Sequence, residues 1–107
     1  MEIQSLWFEF DHWEPGSWNP DDTNTDVFVT LADGTRWGGS FFTYANITSL
    51  VEKNRQPGEN LSGAYWWSSD MILIDVVSHS RIRAVIEDLI ASRLFKKAFQ
   101  LYPPDTD

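Results

Sequence analysis

The chain predicts an α+β domain, an antiparallel sheet of about five strands in the order βββαββα backed by two or three helices. Three observations lead there. Segments with strand-like alternation follow one another closely, so hairpin pairing is the simplest way to satisfy their backbones. The dipeptide Asp33-Gly34 stands between two of them as a turn signal. Later, Ile82, Val85, Ile86, Leu89, Ile90 and Arg93 recur at the spacing of one helical face. At 107 residues the chain is a single domain, residues 1–107, able to bury roughly two thirds of its unfolded surface.

Taken in order, Ile3 to Phe10 alternates as a strand with Leu6, Phe8 and Phe10 inward and Trp7, Glu9 and Asp11 outward. Residues 12–24 are rich in Pro, Gly, Asn and Asp and form an acidic surface loop, yet they carry Trp13 and Trp18. Those rings either fold back as a lid on the core or wait for a partner. Val27–Leu31 and Arg36–Thr43 then form a hairpin about a two-residue turn at Asp33-Gly34, which puts Thr30 beside Trp37 and Phe28 beside Gly39. Gly38 and Gly39 imply a bulge or the close approach of another element.

Asn46 is placed to cap a helix that runs to about Arg55, with Pro57-Gly58 ending it. Leu61 to Val77 is the most apolar run and is expected to be the central hairpin, with Ile72, Ile74 and Val76 facing the core. Tyr65, Trp66 and Trp67 in succession put rings on both faces of its first strand, more than one core layer absorbs, so part of that surface is expected to face a partner. Ser78 or Ser80 caps the main helix, Leu94 to Leu101 extends it or forms a second short one, and residues 103–107 are expected to be a flexible tail.

The charge is uneven. Met1 to Thr35 carries Glu2, Glu9, Asp11, Glu14, Asp21, Asp22, Asp26 and Asp33 with no Lys or Arg, so the whole net charge of −8 lies in the first third. This argues for a partner with a basic surface and against direct nucleic-acid binding, because phosphates would be repelled. No apolar run is long enough to span a membrane and no secretory signal leads the chain, so the expected address is cytoplasmic. The absence of cysteine removes disulfides, thiolate metal sites and thiol nucleophiles together.

Chemistry-bearing patterns are weak. Asp22, Asn24, Asp26 and Asp33 imitate the spacing of an EF-hand loop, but Val27 stands where glycine is required and a strand follows, so no metal site is expected. His12 and His79 are the only histidines, and Ser78-His79-Ser80 lacks the glycine pattern of a nucleophile elbow. No catalytic residue and no cofactor are therefore expected. Glu9, Asp11 and Glu14 among Trp7, Trp13 and Trp18 keep open an alternative, a carbohydrate-binding or glycoside-cleaving domain.

Tyr44-Ala45-Asn46-Ile47, then Pro57-Gly58-Glu59-Asn60-Leu61-Ser62-Gly63, Tyr65-Trp66-Trp67 and Ser69-Asp70-Met71-Ile72, spread over Asp33 to Leu89, resemble small bacterial immunity proteins. Proteins of that class are encoded beside polymorphic or contact-dependent growth inhibition toxins. The resemblance implies a cytoplasmic, non-enzymatic protein that binds one cognate toxin domain, often a nuclease, and covers its active site or substrate path. From the chemistry of the chain, the expected contact residues are Asp11, Trp13, Glu14, Trp18, Asp21, Asp22, Asp26, Trp66 and Trp67.

Overall fold

The computed structural model describes residues 1–103, and the expected tail lies beyond Pro103 outside the described residues. The chain folds as an α+β domain with a five-stranded sheet. Strands β1 (Ile3–Phe8), β2 (Asn24–Leu31) and β3 (Arg36–Thr43) form an antiparallel meander. The far side of β3 is shared by β4 (Met71–Ile74), which runs parallel to its second half, and β5 (Gln100–Tyr102), which runs antiparallel to its first. Helix α1 (Tyr44–Arg55) makes the crossover that a parallel β3–β4 pair requires. A five-residue turn, α2 (Glu59–Gly63), follows it, and α3 (His79–Ala91) and the single turn α4 (Phe95–Ala98) lie between β4 and β5. Among the described residues no helix is long and apolar enough to cross a membrane.

The alternation of β2 decides which face is core. Thr25, Val27, Val29 and Leu31 are buried, and opposite them Trp37, Gly39, Phe41 and Thr43 fill the same face of β3. Ile82 and Ile86 of α3, with Phe95 and Phe99, close over that face together with Phe8, Phe10, Ile74 and Val77. The two adjacent glycines are explained by close approach, without a bulge in the β2–β3 ladder. A Cβ on Gly39 would lie 2.8 Å from the ring of Phe99, and one on Gly38 2.6 Å from the ring of Tyr102. Each glycine is covered by an aromatic ring on its own face, which restores the burial that the missing side chain forgoes.

Four sequence expectations change. The hairpin loop has three residues, Ala32-Asp33-Gly34, because Leu31 accepts from the Gly34 N–H while its own N–H bonds Thr35. Gly34 takes a left-handed φ of 86° there. That is the type I turn plus bulge arrangement, and it moves the register by one, pairing Val29 with Trp37 and Phe28 with Gly38. The central hairpin does not form. Only Met71–Ile74 of it is strand, and Asn60, Leu61 and Ser62 instead make a left-handed turn with φ of 52°, 52° and 57°. Helix α1 begins earlier than expected, because the buried Thr43 hydroxyl caps it by accepting from the Asn46 N–H, and Asn46 serves another purpose. The first strand ends at Phe8, and Phe10 reaches the core from a 3-10 turn, Glu9–His12. At α3 the expected Ser78 cap is present, accepting from the Arg81 N–H.

Candidate functional site

The strand directions bring the ends of β1, β3 and β4 and the start of β2 to one end of the sheet. The 3-10 turn, the Trp13–Thr23 loop and the start of α1 gather there. So does the start of α3, because the Val77 N–H just before it bonds the carbonyl of Pro20. This end therefore carries Glu9, Asp11, Glu14, Asp21, Asp22 and Asp26, while Glu2 and Asp33 lie at the other end beside the β2–β3 turn.

What holds these carboxylates is as informative as where they are. Asp22 accepts from the Ser49 hydroxyl at 2.7 Å and from the Asn46 side-chain amide at 3.1 Å, and Asn46 in turn accepts from Asn24 at 2.9 Å. Those neutral donors, Ser49 first, hold the Asp22 carboxyl below the usual carboxylate range, so the charge persists to low pH. Asp26 accepts from the Ser40 hydroxyl at 2.7 Å, and its own N–H donates to Glu9 at 3.0 Å. Asp11 meets His79 Nε2 at 2.6 Å. Among the described residues none of the six is paired with a Lys or Arg. The nearby Arg81 is bound to Asp75 at 3.1 Å.

The other expected contact residues fall into two groups. Trp13 and Trp18 are half-buried against the core, edge to face at 5.3 Å, and Trp18 lies 5.3 Å from Phe10, so this loop folds back as a lid. Trp66 is also half-buried, 6.1 Å from Phe42, with its indole N–H buried and unpartnered. Trp67 is 67% exposed, and Tyr65, Leu61 and Leu73 join it in standing free of the core. Leu61, Leu73 and the outward edge of β4 were not anticipated. Their signal was the break in alternation between Leu61 and Met71, which the run of apolar residues concealed.

His79 sits 4.7 Å from Phe8 and 4.8 Å from Phe10, held by rings as well as by Asp11, and no hydroxyl hydrogen-bonds the pair among the described residues. His12 stacks on Trp7 at 5.1 Å. Among the described residues no three His, Asp or Glu side chains are grouped to hold a metal. Surface clefts of about 410 and 370 Å³ lie elsewhere, the first against Glu2, Leu31 and Asp33, the second against Ile90, Arg93 and Lys96. The set Glu9, Asp11, Glu14 with Trp7, Trp13 and Trp18 is divided. Trp13 and Trp18 turn to the core, while Trp7 lies on the opposite sheet face, 5.6 Å from Phe28. Phe28 meets Tyr102 edge-on at 5.0 Å, with the Arg36 guanidinium 4.3 Å over its ring.

Comparison of the chain with protein-family models, with curated proteins and with solved structures finds no match.

Proposed function

We propose that this is a non-enzymatic immunity protein that binds a cognate toxin domain and neutralises it by covering its active site or basic substrate cleft. The observation that carries the reading is the group of six carboxylates at one end of the sheet, none paired with Lys or Arg among the described residues and three of them, Glu9, Asp22 and Asp26, fixed by neutral donors. Carboxylates serving stability alone gain from cationic partners, which also cancel their distant field. Carboxylates held by hydroxyl, amide and backbone donors keep that field while losing their freedom to move. A nuclease is the toxin class that suits this chemistry, since its cleft must hold phosphates and fixed carboxylates imitate them. The address that goes with this reading is the cytoplasm, where such a toxin acts.

Capture of the binding partner from the native host tests the proposal. Replacing Glu14→Gln, Asp21→Asn and Asp26→Asn together is expected to slow association by about tenfold or more at low salt and to flatten its salt dependence. A partner without a basic surface, or association that ignores these changes, overturns the reading. So does hydrolysis of nucleic acid by the isolated protein.

One observation favours a second reading, an oligosaccharide site. Trp7, Phe28 and Tyr102 share the outer sheet face with Asp26, whose N–H reaches Glu9, and rings beside carboxylates suit sugar binding. A saturable tryptophan fluorescence shift against an oligosaccharide panel would raise this reading above the first.

A further inference from the structure

Edge strands leave a row of backbone N–H and C=O groups unpaired, and proteins blunt them with bulges, proline, lysine or brevity. Among the described residues this sheet has three such edges. At β1 the pairing with β2 shifts between Ile3 and Ser5, a bulge that twists the edge, and β5 is three residues long and followed by Pro103. β4 is blunted by brevity alone. Its four residues are Met-Ile-Leu-Ile, it has no bulge, proline or lysine, and among the described residues no strand pairs with its outer side.

The surroundings of β4 argue for an occupant. Leu61, Tyr65, Trp67 and Leu73 are 76%, 50%, 67% and 43% exposed, and all lie on the strand or in the segment leading to it. Leu61 is presented by the left-handed turn Asn60–Ser62, a strained conformation for residues other than glycine, and its side chain points to solvent instead of the core. Asp70 precedes the strand, and its far end leads past Asp75, which is paired with Arg81, to Val77, bonded to Pro20 beside the unpaired Asp21 and Asp22. A second copy of this chain on the same edge would bring together two chains of charge −8. A segment with cationic ends does not meet that repulsion.

We infer that β4 is the docking edge for the basic partner. An extended partner segment with alternating apolar residues and Lys or Arg at its ends adds to Met71–Ile74, and the exposed Tyr65, Trp67 and Leu73 supply the side-chain contacts that so short a strand needs. The inference rests on the reading above for the partner's basic character and adds where its backbone is held.

Amide chemical-shift mapping of the full chain tests it, with a synthetic twelve-residue peptide of alternating valine and threonine and two lysines at each end as the probe. Shifts are expected at Met71 to Ile74 and at the Trp67 indole, with at least tenfold weaker binding of a peptide ending in glutamates. Asp70→Asn with Asp21→Asn should abolish that discrimination while leaving the free protein's spectrum folded. Shifts confined to β1 or β5, no shifts, or a dimer formed through β4 in sedimentation would overturn the inference. The two readings fail separately. Silence at β4 leaves the toxin reading standing, whereas a captured partner whose binding ignores the carboxylates sinks that reading first.

Discussion

Two stretches of this chain, Trp13–Thr23 and Pro57–Asp70, have nearly the same composition and opposite fates. Both are rich in Pro, Gly, Asn, Ser and acids, and both carry at least two tryptophans. The first folds its rings onto the core, and the second leaves most of them in solvent. The difference lies in the backbone. The first stretch is tied at distant points, by Asp22 to α1, by Pro20 to Val77, and by Thr23 to Thr43. Within the second, the backbone bonds are local, such as Ser62 to Gly58 and Ala64 to Asn60, until Asp70 meets Ser40 where the strand begins. An aromatic ring stays buried only if the chain carrying it is pinned, because the entropy of an unpinned loop competes with the gain from burial.

The sharpest break of this comparison is a ring deletion in each stretch. Trp18→Ala is expected to cost about 2–4 kcal/mol, somewhat below a fully buried tryptophan, and Trp67→Ala less than about 0.5 kcal/mol. Urea unfolding measures both. Equal losses would mean that the two stretches do not differ as described.

Cutting a tether should cost less than removing the ring. Thr43 is fully buried, and its hydroxyl accepts from both Thr23 and Asn46, each at 3.1 Å. Thr43→Val keeps the shape but strands two N–H groups, so a loss of about 1–3 kcal/mol is expected. Greater proteolysis within the Trp13–Thr23 loop should accompany it.

In the second stretch the opposite sign is expected. Leu61→Gly removes an exposed side chain from a left-handed residue and should stabilise by up to about 1 kcal/mol, after the extra entropy of glycine in the unfolded chain is subtracted. If the turn is retained for a partner, the same change should weaken partner binding. A variant that loses stability would show that the turn is held by something other than strain tolerance.

The smallest effect is in acid. The folded carboxyl of Asp22 titrates below its ordinary value of 3.8, as does Asp33 through its bonds from Thr35. For a depressed carboxyl the stabilisation is full above the unfolded pKa and is lost as pH falls through the folded one. Asp22→Asn should therefore leave a shallower decline of stability below about pH 4 than the parent shows, with Asp33→Asn behaving alike. Both aspartates are solvent-exposed enough that the change is a difference in slope, best followed by thermal melts at low salt.

Much of the architecture was legible from residue spacing. The inward set of β1, the hairpin position and the α3 core face follow from periods of two and 3.6 and from a local turn signal, which depend on local geometry alone. What escaped depends on events outside the local window. The register of β2 and β3 turned on whether Gly34 closes a two-residue or a three-residue loop, and the same dipeptide serves both. Leu61–Trp67 has the apolar and aromatic content of a strand but is diverted by a left-handed turn, and β5 is too short for any period to register. The parallel pairing of β4 required knowing that α1 crosses the sheet. The acidic excess of the first third was visible as composition, but its gathering at one end, and the neutral donors from Ser40, Asn46 and Ser49, arise from elements beyond that third.

The shared far side of β3 has a consequence for hydrogen exchange. β3 is bonded along one flank to β2 and along the other to β5 at Arg36–Gly38 and β4 at Ser40–Thr43. Its amides are thus shielded on both sides and should exchange with deuterium only when the whole domain opens, whereas β4 and β5, each held by a single neighbour, exchange through local fraying. Gly39 stands at the seam between the two short strands, but its N–H lies on the flank that faces β2, as the Thr43 N–H does, so it belongs with the slow class. A segment added to the outer side of β4 would move Met71–Ile74 from the fast class to the slow one, so a deuterium time course on the free and the partner-bound protein reads strand order and occupancy from the same peaks.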